Sequence, residues 1–330
     1  MTAEDTIHTN AASAASSDDA SDKSKFSPLD WHTFFDTKHQ VSIPIELDSS
    51  KTTFSVYEIN RERTDLPVIV LHHGAGHCAL SFAATAKELR TLIGDQARIL
   101  CYDARGHGET TSTDQLNLDI DRLAKDLQNV LLTYYTPSSS IMEGVITMPE
   151  LFLVGHSMGG AVVTEVATRE LVPHISGIAV LDMAQARKEI ALIYIRQWCE
   201  NRPATCKTVE QAIQWGVESG TVRNIESARV SFPGMVKRSP TESKYTWYTD
   251  LMASESHWPS WFDGLNQKFL NTKPKKFLIL GENKILDDEM TAAHEQGKFK
   301  LSVFAEAGHA VQEDDPVRMA KELAEFWKKD

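Results

Sequence analysis

L-F-L-V-G-H-S-M-G-G, residues 151–160, carries the clearest structural signal in this sequence. Its first four residues form an apolar run typical of a buried strand, and a helix-compatible segment covers 158–171. Between the two, residues 155–159 match the pattern G-x-S-x-G, a tight turn that needs small residues around its serine. Such a turn holds the hydroxyl clear at the carboxyl end of the strand, and the N–H groups of the following helix point at charge that develops there. The pattern therefore predicts that Ser157 is a catalytic nucleophile.

Strand and helix patterns alternate on both sides of this turn. Apolar runs lie at 54–59, 67–71, 98–102, 151–154, 177–181, 276–280 and 300–304, and helix-compatible segments lie at 79–92, 117–135, 158–171 and 316–328. The five runs between 67 and 280 are almost continuously apolar, as in strands that are buried on both faces. We therefore predict an α/β fold with a mostly parallel central sheet and helices on both of its faces.

Two segments depart from this alternation. Residues 183–275 contain helical patterns and many aromatic residues without a convincing buried strand, which predicts a helical cap inserted over the sheet. Residues 1–27 are rich in Ala, Ser, Asp and Thr with one aromatic, Phe26, and we expect a disordered tail because such a composition buries little apolar surface. The predicted core then comprises residues 28–182 and 276–330.

A second motif, V-L-H-H-G-A-G-H at 70–77, also follows an apolar strand. A His-Gly turn before a nucleophilic serine can present backbone N–H groups to an oxyanion, and Gly74 and Gly76 permit close approach of the backbone to a ligand. We expect the N–H group of Ala75 to form one half of an oxyanion hole and that of Met158 to form the other half.

A serine nucleophile also needs a base and an acid. His309, in F-A-E-A-G-H-A-V, lies between the last strand and the final helix, and it satisfies the chain order serine, acid, histidine. Three aspartates lie between Ser157 and His309 at the end of a strand or just after one: Asp182, Asp287 and Asp288. The acid must accept a hydrogen bond from Nδ1 of the histidine, and the pattern alone leaves its identity open.

Composition excludes several other classes of function. The chain has 34 basic and 46 acidic residues, a formal charge of −12, which disfavours binding to nucleic acid or to anionic lipid. No run approaches the ~20 apolar residues that a membrane-spanning helix needs. The four cysteines show neither a CxxC pair nor a zinc-like spacing, and the acidic start M-T-A-E-D-T lacks an apolar signal region. We expect a cytoplasmic or nuclear protein without a metal site.

Several runs resemble protein phosphatase methylesterases. The shared motifs are V-G-H-S-M-G-G-A, L-H-H-G-A-G-H-C-A-L-S-F, the turn at 103–110 and A-G-H-A-V-Q-E-D, and many hydrolases have motifs of this kind. The run at 208–231, which includes R-N-I-E-S-A-R-V-S, is more particular, as are Y-T-W at 245–247 and W-x-x-W-F-x-G-L-N at 258–266. The resemblance covers roughly residues 28 to 329.

This resemblance implies an α/β-hydrolase fold and an esterase that needs no cofactor. The family's substrate is the methyl ester on the C-terminal leucine of the type 2A protein phosphatase catalytic subunit, which would be the partner of this chain. Its serine corresponds to Ser157, its histidine to His309 and its acid to Asp182, with Asp287 and Asp288 in reserve. The family carries a V-E-G-T-type run after the acid, whereas this chain has M-A-Q-A-R at 183–187, which changes the charge at the mouth of the site.

The substrate-binding residues that we expect are Gly74, Gly76, His156, Gln185 and Trp198. Two other functions remain open at this stage. A small-molecule carboxylesterase of the same fold would cleave many short esters without preferring a methylated peptide tail. A phosphatase-binding protein that acts mainly by holding the phosphatase inactive would keep its effect when Ser157 is replaced by alanine.

Overall fold

A single eight-stranded sheet organises the protein. The computed structural model describes residues 25–136, 140, 144, 146–183, 188–282 and 286–328. The strands are β1 (Thr37–Ser42), β2 (Thr53–Ile59), β3 (Val68–His72), β4 (Arg98–Tyr102), β5 (Leu151–His156), β6 (Ile175–Leu181), β7 (Val236–Arg238), β8 (Tyr245–Trp247), β9 (Lys275–Leu280) and β10 (Lys300–Val303). The sheet has the order β1-β2-β4-β3-β5-β6-β9-β10, and β7 pairs with β8 in a separate ribbon. Only the pairs β1–β2 and β2–β4 of the large sheet are antiparallel, so the predicted mostly parallel sheet is confirmed.

Helices cover both faces of this sheet. The α-helices are α1 (Ala83–Ile93), α2 (Ile120–Tyr135), α3 (Met158–Thr168), α4 (Lys188–Asn201), α5 (Val209–Glu218), α6 (Ile225–Met235), α7 (Leu265–Asn271), α8 (Asp288–Glu295), α9 (Val311–Asp314) and α10 (Pro316–Trp327). Short 3-10 segments lie at Trp31–Thr33, Ala79–Phe82, Gly94–Gln96 and Met252–Phe262. No helix among these described residues is long and apolar enough to cross a membrane.

Two hydrophobic cores, one on each face, hold the helices against the sheet. Strand β3 shows how the sequence divides between them: Val68 and Val70 belong to the core that includes α2 and α3, whereas Ile69 and Leu71 belong to the core that includes α1 and α10. Side chains alternate between the faces of a strand, so a strand that is apolar at every position supplies both cores. This explains why β3, β4, β5, β6 and β9 are almost continuously apolar in sequence.

The segment between β6 and β9 packs on both sides of the molecule. Residues of α5 and α6 join the core that contains α1, whereas Trp258, Trp261 and Phe269 are buried in the core that contains α2 and α3. The indole N–H of Trp261 also donates to the carbonyl of Leu118 at 2.7 Å. The second half of the predicted cap therefore contributes to the core beneath it as well.

Three features differ from the sequence predictions. The polar edge strand β1 was not predicted. Of its six residues only Val41 is aliphatic, and it is also the one that is buried. The ribbon β7–β8 was also missed, since its strands have three residues each and are mostly exposed or half-buried. Phe26, placed in the predicted tail, is buried in the core, and the Ser27 carbonyl accepts from Nε of Arg229 at 2.6 Å. Residues 1–24 of the predicted tail lie outside the described residues.

Parallel pairing brings the sequence motifs to one edge of the sheet. His72, which ends β3, pairs with Gly155 of β5, and His156 at the end of β5 pairs with Leu181 at the end of β6. The segments that follow these strands therefore emerge side by side at the carboxyl edge. They are the His-Gly turn, the serine turn and Asp182.

Candidate active site

Ser157 lies in a strained turn between β5 and α3. Its backbone has φ 50° and ψ −119°, a conformation that L-residues rarely adopt. A side chain at Gly155 would collide with the backbone of Gly159, and one at Gly159 would collide with the carbonyl of His72, so both positions require glycine. The N–H of Ser157 donates to the carbonyl of Leu181 at 2.8 Å, which joins the turn to the neighbouring strand. These contacts hold a half-buried serine at the start of a helix.

Asp182 and His309 form a close pair at the same edge. Oδ2 of Asp182 accepts from Nδ1 of His309 at 2.6 Å, and Oδ1 accepts from the N–H of Gly281 at 2.7 Å. The Asp182 side chain is fully buried, whereas that of His309 is half exposed. Because Nδ1 of His309 donates to the carboxylate, its Nε2 is the atom left to take a proton.

Asp287 and Asp288, the two alternative candidates for the acid, have other structural roles. Asp287 is the N-cap of α8: its Oδ1 accepts from the N–H of Met290 at 2.8 Å, and its Oδ2 accepts from Nδ2 of Asn266 at 2.6 Å. Asp288 is the exposed first residue of that helix. Asp182 is thus the aspartate of the three whose carboxylate meets the histidine.

Two backbone N–H groups beside Ser157 are available to an oxyanion. A Cβ placed on Gly74 would lie 3.2 Å from Cβ of Ser157, so the His-Gly turn runs along the serine. Within this turn, the N–H of Gly76 is already used, because it donates to Nε2 of His107 at 2.9 Å. Among the described residues no acceptor takes the N–H of Ala75, and the N–H of Met158 opens α3 without a partner inside the helix. The geometry fits the predicted pair of donors.

Buried polar groups fix the shape of the His-Gly turn. Nε2 of His73 accepts from the N–H of Ala104 at 2.8 Å, and Oδ1 of Asp103 accepts from the N–H of Ala79 at 2.8 Å. Burial lowers the pKa of His107 to about 4. The ring is therefore neutral at pH 7 and its Nε2 can accept.

His156 supports the base instead of facing a substrate. Its ring is fully buried, its Nε2 donates to the carbonyl of His309 at 2.9 Å, and its Nδ1 accepts from Nε2 of Gln312 at 3.3 Å. The two histidine rings lie 4.8 Å apart between centroids. This position corrects the expectation that His156 binds substrate, because a ring with no exposed surface offers nothing to a ligand.

Trp198 of helix α4 covers the His-Gly turn. Its indole is parallel to the ring of His77, with 6.2 Å between ring centroids, and its Nε1 donates to Oγ1 of Thr221 at 3.2 Å. A Cβ on Gly76 would come within 2.7 Å of the indole, and this residue has φ +74°. Trp198 therefore forms a wall next to the turn, and its contact with substrate stays a prediction. Gln185, the remaining predicted contact, lies outside the described residues.

Sequence reasoning missed the role of the short helix α9, which follows His309. Oε1 of Glu313 lies 3.2 Å from Nδ1 of His77, and both side chains are buried. Burial lowers the pKa of His77 to about 3 and raises that of Glu313. Both shifts favour the neutral forms, so the pair is a hydrogen-bonded contact between the base's loop and the His-Gly turn. The run V-Q-E-D, which begins two residues after the histidine, was the available signal.

Comparison with known proteins identifies relatives of this chain. Residues 69–322 match the Alpha/beta hydrolase family. A bovine protein named Protein phosphatase methylesterase 1 is 34% identical over 92% of this chain and 87% of its own length. Proteins of the same name from Aspergillus oryzae and Yarrowia lipolytica are 38% and 36% identical, over 91% and 92% of this chain and over 71% and 74% of their own lengths.

Solved structures agree on the fold. The crystal structure of E-2-(acetamidomethylene)succinate hydrolase covers 89% of this chain and 99% of its own, with a TM-score of 0.70 and 14% identity. An esterase from M. tuberculosis covers 89% of this chain and 92% of its own, with a TM-score of 0.60 and 14% identity. At such low identity the likeness concerns the fold alone.

Proposed function

This chain belongs to the protein phosphatase methylesterase family of α/β hydrolases, and we propose that it removes the methyl ester from the C-terminal leucine of a type 2A protein phosphatase catalytic subunit. The observation that carries the proposal is the site itself. A strained serine, a histidine bonded to a buried aspartate and two N–H groups beside the serine are the parts that ester hydrolysis through an acyl-enzyme requires.

The reaction follows from the roles of these groups. Nε2 of His309 takes the proton of the Ser157 hydroxyl while the oxygen attacks the ester carbonyl. The N–H groups of Ala75 and Met158 stabilise the oxyanion, an effect for which removal of one donor typically costs about 10²–10³ in rate. His309 then gives its proton to the leaving methoxide, so methanol departs and an acyl-serine remains. Water repeats the cycle, which frees the leucine carboxylate and restores the serine.

Asp182 has a supporting role in this cycle. Its carboxylate holds Nδ1 of His309 protonated and stabilises the imidazolium that forms when Nε2 takes the proton. Because Asp182 is also bonded to the N–H of Gly281, its carboxylate is fixed before substrate arrives. The site supplies every proton from its own residues or from water.

The choice of substrate is supported by the relatives' names, which specify a protein phosphatase, and by the run at 208–231. A leucine side chain needs an apolar wall next to the acyl carbon, and Trp198 stands beside the turn that carries Ala75. The ester is at the end of a folded partner, so the cap must accept a peptide tail and the protein surface behind it.

Two substrates with the same leaving group test the proposal: a peptide with a methyl-esterified C-terminal leucine and methyl acetate. We expect wild type to hydrolyse both, with a higher kcat/KM for the peptide, and the Ser157→Ala variant to hydrolyse neither. A fluorophosphonate should label wild type on the peptide that contains Ser157. Equal or better turnover of the small ester would favour the small-molecule esterase, and no turnover of either would favour a protein that only binds the phosphatase.

A further inference from the structure

The loop that precedes His309 is tied to the end of β9. The N–H of Phe304 donates to the carbonyl of Leu280 at 2.8 Å, and the N–H of Glu282 donates to the carbonyl of Ala307 at 2.8 Å. A Cβ on Gly281 would collide with the backbone of Gly308. The N–H of the same Gly281 holds Asp182, so the acid and the loop of the base share one support.

An arginine of the segment inserted between β6 and β9 also reaches this loop. Arg223 lies in the connection between α5 and α6, in the segment inserted between β6 and β9. Its Nη1 donates to the carbonyl of Glu306 at 2.8 Å, and its Nη2 forms an ion pair with Glu282. A Cβ on Gly308 would lie 3.4 Å from its Nε, so the guanidinium lies against the residue before His309.

The carboxylate of Asp314 joins the same two segments. Its Oδ1 accepts from the backbone N–H of Arg223 at 2.7 Å, and its Oδ2 accepts from the N–H of Gly308 at 2.7 Å. Burial raises the pKa of this carboxyl, and both bonds oppose that rise because they favour the charged form. Asp314 thus links the α5–α6 connection to the residue before the base.

Through these contacts Arg223 and Asp314 hold the backbone of the residues directly before His309. We propose that Arg223, together with Asp314, positions His309 for catalysis by fixing residues 306–308 from the inserted segment. The inference rests on the proposed function, since it assigns His309 the role of general base. Arg223 touches no reacting atom in this scheme, so it is a positioning residue and its loss should slow chemistry more than it weakens binding.

The chain offers a matched control for this arginine. Arg318 has a side chain that is 42% exposed, against 40% for Arg223, and it also donates to a backbone carbonyl near the end of the last strand, that of Val303 at 3.0 Å. It also lies near a glutamate, Glu322. Arg318 also stacks over the ring of Phe304, at 4.0 Å from the ring centroid. Arg318→Ala therefore removes contacts at the start of the same loop but none with residues 306–308, so it tests whether the contacts of Arg223 with those three residues are the ones that matter.

The experiment compares Arg223→Ala, Arg223→Lys and Arg318→Ala with wild type. We expect Arg223→Ala to lower kcat for p-nitrophenyl acetate by about 10- to 100-fold with KM changed less than about threefold, as for a misplaced catalytic group. Arg223→Lys should recover part of kcat, and added guanidinium should restore part of it to Arg223→Ala. Arg318→Ala should keep kcat within about twofold of wild type.

A spectroscopic readout separates this inference from the proposed function. The short bond between His309 and Asp182 should give a strongly downfield proton signal for Nδ1–H, and this signal exists whether or not the protein hydrolyses esters. We expect the signal to broaden or shift in Arg223→Ala and to stay in Arg318→Ala. An unchanged signal together with unchanged kcat in Arg223→Ala would overturn the positioning role, whereas an inactive wild type would overturn only the proposed function.

Discussion

Replacing Asp182 with asparagine tests how the acid works, because the structure fixes what the amide can do. Oδ1 of Asp182 is bonded to the N–H of Gly281 and Oδ2 to Nδ1 of His309. An asparagine has only one oxygen for these two donors. If the oxygen faced His309, the amide NH₂ would face a buried N–H at 2.7 Å, and leaving that N–H unpaired costs about 1–3 kcal/mol.

The oxygen of the introduced asparagine is therefore expected to stay on Gly281, with its NH₂ directed at Nδ1 of His309. Nδ1 must then accept, so the imidazole proton moves to Nε2, and Nε2 can no longer take the proton of Ser157. A wrong tautomer of this kind lowers kcat by about 10⁴-fold, equivalent to ~5.5 kcal/mol in the activation barrier. The fold should remain, because asparagine keeps the shape of aspartate.

The assay is steady-state hydrolysis of a C-terminal leucine methyl-ester peptide, with thermal unfolding as a check on the fold. Asp287→Asn is the matched control: its oxygen can keep the cap on the N–H of Met290 while the bond from Nδ2 of Asn266 is lost, so kcat should stay near wild type and the free energy of unfolding should fall by about 1 kcal/mol. More than a tenth of wild-type kcat in a folded Asp182→Asn protein would refute the reasoning, as would a collapse of activity in Asp287→Asn.

Three further outcomes follow from the geometry. Ser157→Gly should abolish hydrolysis yet raise the free energy of unfolding by about 1 kcal/mol, since glycine relieves the positive φ; urea unfolding that shows a loss of stability would contradict the strain. Trp198→Ala should raise KM for the leucine ester about tenfold, with a smaller change in kcat. Trp198→Phe should return KM most of the way to the wild-type value. An unchanged KM in Trp198→Ala would show that this residue does not line the leucine pocket. Burial lowers the folded-state pKa of His72 and of His107 to about 4. As the pH falls below 6.5, these two histidines take up protons in the unfolded chain but not in the folded protein. Each histidine should therefore lower the free energy of unfolding by about 2 kcal/mol between pH 7 and pH 5. Urea midpoints that are equal at the two pH values would oppose this.

Much of the fold could be predicted because continuous apolar runs identify strands buried on two faces. The polar strand β1 could not, since an edge strand needs few buried residues and its pattern merges with that of a loop. The ribbon β7–β8 was hidden for a similar reason, because three-residue strands carry no measurable periodicity.

The site was predictable where chemistry demands a local pattern. Ser157 is identified by the glycines that its turn requires, and His309 by its place after the last strand. The acid could not be predicted from the pattern, because three aspartates satisfied the chain order serine, acid, histidine. The pairing of β5, β6 and β9 depends on long-range packing, and of the three it brings Asp182 to the histidine. The run V-Q-E-D marked the segment of α9, but it could not show what Glu313 contacts, since its partner His77 lies 236 positions away.

Methanol release from an intact phosphatase catalytic subunit, methyl-esterified at its C-terminal leucine, tests the central claim most directly. Wild type should release one methanol for each esterified tail and leave a free carboxylate that mass spectrometry detects. Ser157→Ala should release none, although it should still bind the phosphatase because only the hydroxyl is lost. Release that persists in Ser157→Ala, or a wild-type protein that leaves the esterified tail intact while cleaving p-nitrophenyl acetate, would contradict the account.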